Sequence, residues 1–258
     1  MGLSRVMKVY KWCPKDLQDF SQSDFFATGT GISVGSFDGL HLGHRFLLNE
    51  LVGACSANSL APGLITFSRP LPAYKHSDDY TGDISTLNQR LQLFEELGIA
   101  FVFVVDFTRD FSELKGVDFL NILQKNLNMK FIAEGIDFRC GYKGATDTQA
   151  IKYWAQQNNV EFSFVDPVYY TEADGNEERI SSSYIRKMIQ KGFFNTIKEL
   201  IARPYQIDVD QIREQGTTTQ ILPPDGFYSC EDENGKIVRV QILNNQLVGI
   251  PDCKSLTL

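Results

Sequence analysis

A short apolar run, Ile32-Ser33-Val34, leads at once into Gly35-Ser36-Phe37-Asp38-Gly39-Leu40-His41-Leu42-Gly43-His44 and then into an amphipathic run. That order reads as strand, tight glycine loop and helix start. The helix spans about Leu42 to Cys55, with Leu47, Leu48, Leu51 and Val52 as its buried stripe. The same alternation recurs along the chain. Leu64–Phe67, Ala100–Val105, Lys130–Glu134 and Val160–Val165 read as strands, and a further strand is possible at Val6–Tyr10. Between them lie helical runs from Ser85 or Thr86 to Leu97, where Gly98 ends the helix, and at Val117–Leu127 and Thr148–Gln157. A pair of helices fills Ser182–Ile201. Ala100–Val105 is almost wholly apolar, which suits a strand covered on both faces. Strands and helices alternating at these lengths predict an α/β fold, a parallel sheet with helices on both faces. Ligands of such sheets bind at the carboxyl ends of the strands. The glycine loop, the polar loop Arg69–Asp83 and the glycine-rich loop Gly135–Asp147 all fall there.

The glycine loop carries the chemistry. N–H groups at a helix start, helped by the dipole, attract anions, and glycines at 35, 39 and 43 allow close approach of a bulky one. His41 and His44 are three apart, so on a helical first turn both imidazoles face one side. The chain holds only three histidines, and two sit here. A nucleotide-phosphate cradle with two imidazole donors is the sharper reading, and a plain turn with helix-capping histidines the blander one. Zinc is not expected. It needs a third protein ligand, His76 lies in a polar loop, and the five cysteines are scattered.

Length and charge limit the partners. The chain has 258 residues and a net charge of −7 without a basic block, so neither duplex nucleic acid nor another nucleic-acid partner is expected. The longest apolar run, Ile99–Val105, is far too short for a bilayer, so no membrane partner is expected. Cys13, Cys55, Cys140, Cys230 and Cys253 form no C-x-x-C pair, which suits a reducing cytoplasm. From Asp208 the texture changes to short strands at Thr217–Thr219, Gly226–Cys230, Lys236–Leu243 and Gln246–Ile250, with turns between them. The expected organisation is a domain over 1–206 and a small β-rich appendage over 207–258, which is too short for an independent core. Oligomeric state is not set by any of these features.

Gly35-x-Phe37-Asp38-Gly39-x-His41-x-Gly43-His44 resembles the nucleotide motif of the HxGH nucleotidyltransferases, whose sheet is Rossmann-like. Further stretches narrow the resemblance to the prokaryotic FAD synthetases, which in full form join an FMN adenylyltransferase to a riboflavin kinase. These are Thr66-Phe67, Leu93–Gly98, Asp106-Phe107-Thr108, Gly135–Gly141 with Lys143 and Gly144, Arg179–Arg186, and Ala202-Arg203-Pro204-Tyr205. The resemblance covers about residues 30 to 206. Two features depart from it. The histidine usual just after Thr-Phe is missing from Ser68-Arg69-Pro70-Leu71-Pro72, where Arg69 offers charge instead. Leu222–Tyr228 resembles a kinase strand entry, but the glycine-proline-threonine-asparagine segment that holds ATP and metal is absent upstream of it. No riboflavin kinase activity is therefore expected.

The resemblance implies that FMN and ATP give FAD and pyrophosphate, with Mg²⁺ riding on the phosphates. It implies His41, His44 and Arg186 as catalytic residues, His44 being nearest the α-phosphate. ATP contacts are implied at Gly35, Phe37, Gly39, His41, Gly43, His44, Arg179, Ser181, Ser182, Ser183 and Arg186. Flavin contacts are implied at Thr66, Phe67, Gly135, Asp137, Phe138 and Arg139. Bland roles stand beside these. Ser181–Ser183 with Arg186 make an ordinary N-cap and surface arginine, and Asp137 and Arg139 a turn aspartate and a solvated arginine. Asp38 fixes the glycine turn and is no metal ligand. Phe67, Phe107 and Phe138 flank an isoalloxazine ring or simply pack in the core. Two alternatives stay open: a same-fold transferase using another phosphorylated acceptor, and a non-catalytic flavin- or nucleotide-binding module.

Overall fold

The computed structural model describes residues 6–12, 24–75, 80–172 and 174–258. Cys13 and His76 lie outside the described residues. The chain packs as two compact units, the first built from 1–36, 44–71 and 92–167 and the second from 37–43, 72–91 and 168–258.

The first unit holds a six-stranded sheet. Its strands are β1 (Lys8–Lys11), β2 (Thr30–Val34), β3 (Ala61–Phe67), β4 (Phe101–Val105), β5 (Met129–Gly135) and β8 (Glu161–Val165). They lie in the order β1-β4-β3-β2-β5-β8, and every neighbouring pair is parallel. Helices α1 (Leu42–Ala57), α2 (Leu87–Glu96), α3 (Gly116–Leu127) and α4 (Thr148–Gln157) supply the crossovers. β2 sits between β3 and β5, where successive crossovers change direction, the position at which such sheets bind ligands.

Sequence explains the packing. Leu47, Leu48, Leu51 and Cys55 form the buried stripe of α1, and all five residues of β2 are buried. Glycine is required at 63 because a Cβ there would come within 2.0 Å of the Phe101 ring in the neighbouring strand. α3 stops at Asn128 in the left-handed conformation, and α4 starts at Asp147, whose carboxylate accepts from the Ala150 N–H. Trp12, Phe26, Phe101, Phe103 and Phe119 meet largely edge to face in the same core. The loop expected over Gly135–Asp147 is more regular than its glycines suggest. It contains a two-residue ladder, β6 (Arg139–Cys140) against β7 (Thr146–Asp147).

The second unit carries a hairpin of β9 (Tyr169–Thr171) and β10 (Glu177–Arg179), then α5 (Ser182–Gln190) and α6 (Phe194–Ile201). A five-stranded sheet follows, in the order β11-β15-β12-β13-β14, with every pair antiparallel. Its strands are β11 (Gln206–Asp208), β12 (Gly226–Glu231), β13 (Ile237–Leu243), β14 (Gln246–Val248) and β15 (Ser255–Thr257). Ile84, Ile185, Ile189, Ile197, Tyr205, Ile207, Ile221, Val240 and Leu256 share one core, so this sheet is packed with the residues that surround the glycine loop. The strand expected at Thr217–Thr219 is not formed. The segment before it is instead a helix, α7 (Val209–Gln215), capped by Asp208 at its start and by left-handed Gly216 at its end. Among the described residues no helix is long and apolar enough to cross a membrane.

Candidate active site

The loop from Phe37 to Gly43 is bent by three left-handed residues, Phe37 (φ 47), Gly39 (φ 76) and Leu40 (φ 40). Phenylalanine and leucine adopt that backbone at a cost of about 1–3 kcal/mol each, and such strain concentrates at functional sites. Gly39 answers two demands at once. Its φ suits glycine, and a Cβ would lie 2.7 Å from Ile84 Cγ2. The need for glycine here is thus internal packing, not only approach to a ligand. Glycine at 43 makes room for His41, whose ring atoms Cε1 and Nδ1 would stand 3.3 Å from an added Cβ.

His41 and His44 do not share a helical turn, contrary to the spacing argument. His41 precedes the helix in an extended conformation (φ −69, ψ 171), and only His44 lies within α1. They also differ in environment, His41 being 6% exposed and His44 half-buried. Burial, with a smaller push from the Arg179 guanidinium, lowers the His41 imidazole from 6.5 to about 4. Near neutrality it is an uncharged ring with one N–H to donate. The unfolded chain takes up a proton between these values that the folded chain refuses. Stability is therefore full above 6.5 and falls as the pH drops toward about 4. Between about pH 7 and about pH 4.5, urea unfolding of the parent should lose about 2–3 kcal/mol more than that of His41→Gln. Parallel profiles for the two proteins would remove this account of His41.

Asp38 is the anchor of the loop. It is 1% exposed and ion-paired with Arg186, itself 7% exposed. Its carboxylate also accepts the N–H groups of Ile84 (2.9 Å) and Ser85 (3.0 Å). Burial pushes this carboxyl up, while the guanidinium groups of Arg186 and Arg90 and the two amides pull it back. Arg186 further donates to the Gly82 carbonyl at 2.7 Å and to the Tyr80 hydroxyl at 3.2 Å, and Tyr80 donates to Asp83 at 2.6 Å. Two more donors fix the loop backbone: Ser182 Oγ to the Asp38 carbonyl (3.0 Å) and Arg203 to the Gly39 carbonyl (2.9 Å). Sequence reasoning gave Asp38 the turn and Arg186 a role with phosphates. The structure shows a buried arginine whose guanidinium serves Asp38, Gly82 and Tyr80. The surface arginine of the blander reading is excluded.

Around the same loop, Ser181 caps α5 by accepting from the Tyr184 N–H, while Ser183 and Arg179 are exposed. Phe37, Asp38, Gly39, His41, Gly43, Arg179, Ser181, Ser182, Ser183 and Arg186 thus all belong to the second unit. Buried Arg90, Asp83 and Gln220 belong to this environment too and were missed from sequence. A polar side chain inside an amphipathic helix or loop gives no signal of its partners.

The first unit holds the other candidates. Gly35 and Ser36 leave the end of β2, and Thr66 and Phe67 end β3 beside it. Thr66 is fully buried, and the Phe67 ring packs edge-on against Phe107 and Phe111 in the core. Core packing is the role seen for Phe67 and Phe107, and Phe138 also rests against that core. Asp137 is exposed, and exposed Arg139 donates to the Gly144 carbonyl at 3.2 Å. Glu134, also missed, lies one residue before Gly135. Its buried carboxyl accepts the Val34 N–H at 2.6 Å, and burial raises it well above its ordinary value. Arg69 is half-buried where the family histidine is missing.

Among the described residues no three His, Cys, Asp or Glu side chains group as a metal site. Asp38, within the loop itself, is committed to Arg186. An Mg²⁺ ion held by phosphates and its own waters would need no such cluster of protein ligands.

The FAD synthetase family profile matches residues 25–184, more than half of the chain. The bifunctional riboflavin kinase/FMN adenylyltransferase of Buchnera aphidicola subsp. Schizaphis graminum is 29% identical over 181 residues, covering 70% of this chain and 57% of that protein. The Escherichia coli K12 protein of the same description is 29% identical over 218 residues, covering 79% and 68%. A Listeria monocytogenes FAD synthetase is 25% identical over 221 residues, covering 85% and 86%. The chain therefore spans little more than half of the Buchnera protein and most of the Listeria one. A crystal structure described as a macrolide-efflux protein from Streptococcus pneumoniae shares the fold, with TM-score 0.73 and 20% identity over 98% of both chains. On the family match, with the histidine loop and sheet order just described, the chain belongs to the FAD synthetase family.

Proposed function

We propose that the chain is an FMN adenylyltransferase that moves AMP from ATP to FMN, giving FAD and pyrophosphate, and that it has no riboflavin kinase activity. The FMN phosphate oxygen attacks the α-phosphorus, and the bond from that phosphorus to the bridging oxygen of pyrophosphate breaks. A phosphate monoester is already ionised near neutral pH, so no strong general base is needed. The barrier is electrostatic, set by the meeting of two polyanions and the charge that grows on the departing pyrophosphate. Part of that charge would be neutralised by Mg²⁺ carried on ATP.

The chain's own residues do the rest. His44, inside the first turn of α1, donates toward the α-phosphate, where the helix N-terminus also favours negative charge. Neutral His41 donates one N–H to the phosphate chain. Arg179, Ser182 and Ser183, which belong to the second unit as His41 does, are assigned as further phosphate contacts. Arg186 contributes by holding Asp38, and through it the loop. Thr66, Gly135, Asp137, Phe138 and Arg139, at the carboxyl ends of β3 and β5, are assigned to the flavin side.

The strained histidine loop, locked by a buried ion pair in a chain of this family, carries this reading most. A second reading, a non-catalytic flavin- or nucleotide-binding module, draws on the burial of His41 and the commitment of Arg186 to Asp38. Chromatography of products decides between them. With ATP and Mg²⁺, FMN should yield FAD, and riboflavin offered separately should yield no FMN. ATP binding without turnover of FMN, phosphopantetheine or nicotinamide mononucleotide would favour the module. Turnover of either of the last two in place of FMN would make the chain a same-fold transferase for another acceptor.

A further inference from the structure

We infer that the C-terminal β part of this chain is a positioning element for the His41 loop, acting through Gln220, so that adenylyl transfer depends on residues far in sequence from the nucleotide motif. The inference rests on the adenylyltransferase reading for its kinetic consequence and on geometry alone for its structural one.

The path is continuous and lies wholly within the second unit. Gln220 is 3% exposed and sits where three backbone segments meet. Its Nε2 donates to the carbonyls of Gln206 at 2.7 Å and Ile84 at 3.0 Å, and its Oε1 accepts the Asp208 N–H at 3.0 Å. On either side, the Asp83 N–H donates to the Thr219 carbonyl and the Ile221 N–H to the Asp83 carbonyl, both at 2.8 Å. Residues 219–221 thus run along residue 83 as a short parallel bridge. Thr86 adds a third tie, its hydroxyl donating to Asp208 Oδ2 at 2.7 Å.

Residues 83–86 are therefore held on one side by β11 and the 219–221 segment. Their other side holds the loop, because the Ile84 and Ser85 N–H groups bind Asp38. Asp38 is three residues from His41. A buried carboxamide with both ends satisfied has one arrangement available, and losing it leaves partners unpaired inside the core. Freed from Gln220, the 83–86 amides no longer fix Asp38, and the imidazole's confinement against Gly43 relaxes with it. The C-terminal sheet, expected from sequence to be an appendage of unknown purpose, gains a mechanical role.

The test combines spectroscopy and kinetics on the full chain, using Gln220→Met. With only three histidines, the His41 resonance can be assigned by substitution and titrated by NMR without any ligand. The parent should titrate at about 4, and Gln220→Met should move toward the ordinary 6.5. The KM for ATP should rise about tenfold while the KM for FMN stays within about twofold. A change that only lowered the folded fraction would reduce kcat and leave both KM values unchanged. Thr86→Val should reproduce the shift, and Thr86→Ser, which keeps the hydroxyl, should restore the parent behaviour. If neither Gln220→Met nor Thr86→Val folds, native-state hydrogen exchange on the parent decides. The Ile84, Ser85, Asp208 and Ile221 amides should open together as urea rises. Opening of Asp208 and Ile221 while Ile84 and Ser85 stay protected would overturn the inference. So would folded variants with an unmoved His41 titration. Absence of FAD from the parent would remove the adenylyltransferase reading but leave the titration and exchange tests standing.

Discussion

Arg186→Met should lose about 3–5 kcal/mol of stability in urea unfolding, a large part of the total for a protein of this kind. The size follows from what the substitution leaves behind. Asp38 stays 1% exposed with no guanidinium on its Oδ2, and the Gly82 carbonyl and Tyr80 hydroxyl each lose a donor. Arg90 remains nearby, but it faces Asp83 as well as Asp38, so the buried charge no longer balances. Asp38→Asn on its own leaves the opposite imbalance, two arginines against Asp83. The double substitution Asp38→Asn with Arg186→Met removes both charges together. It also keeps a carboxamide oxygen to accept the Ile84 N–H. It should therefore be more stable than Arg186→Met alone, because pair removal costs less than orphaning one partner. A double variant no better than the single one would mean that packing of the arginine stem, not charge, sets the cost. FAD formation should fall in both, since the strained Phe37–Leu40 backbone depends on Asp38 for its anchorage.

That ion pair also marks the limit of what residue order discloses. Its partners are 148 positions apart, and each in isolation looks ordinary, an aspartate in a glycine turn and an arginine in the first turns of a helix. Nothing in the spacing links them. The parallel sheet, by contrast, was legible because its central strands are largely buried and read as mostly apolar runs, Phe101–Val105 above all. The hairpin Tyr169–Thr171 with Glu177–Arg179 gave no such signal. Its strands are short and largely exposed, so they leave no run of apolar residues to read. Helix Val209–Gln215 was missed although its caps are visible in the sequence. Asp208 and Gly216 bracket it, but with only Val209 and Ile212 on its buried face the run is too short for periodicity to register.

The same reasoning separates the two histidines. The motif was legible, whereas the burial of His41 was not, because Arg179, far along the chain, is part of its surroundings and nothing in the spacing links the two. The consequence is that the two rings cannot be treated as equal donors, and substitution should tell them apart.

His44→Ala should lower kcat for FAD formation by about 10²–10³ with a much smaller change in the KM for ATP. The ring lies half-buried in the first turn of Leu42–Ala57, where the helix N-terminus already favours an anion. A donor at that place gains most when charge builds during transfer, so its removal weighs on the chemical step more than on the bound ground state. Loss of this half-buried ring should also cost less stability than His41→Ala, which opens a cavity beside Gly43 and should lower both stability and rate. Single-turnover measurement of FAD formation separates the chemical step from product release. A His44→Ala protein whose single-turnover rate stays within about tenfold of the parent would place the transition-state donor elsewhere. Arg179, exposed and close enough to His41 to depress its protonation, would then be the first residue to replace.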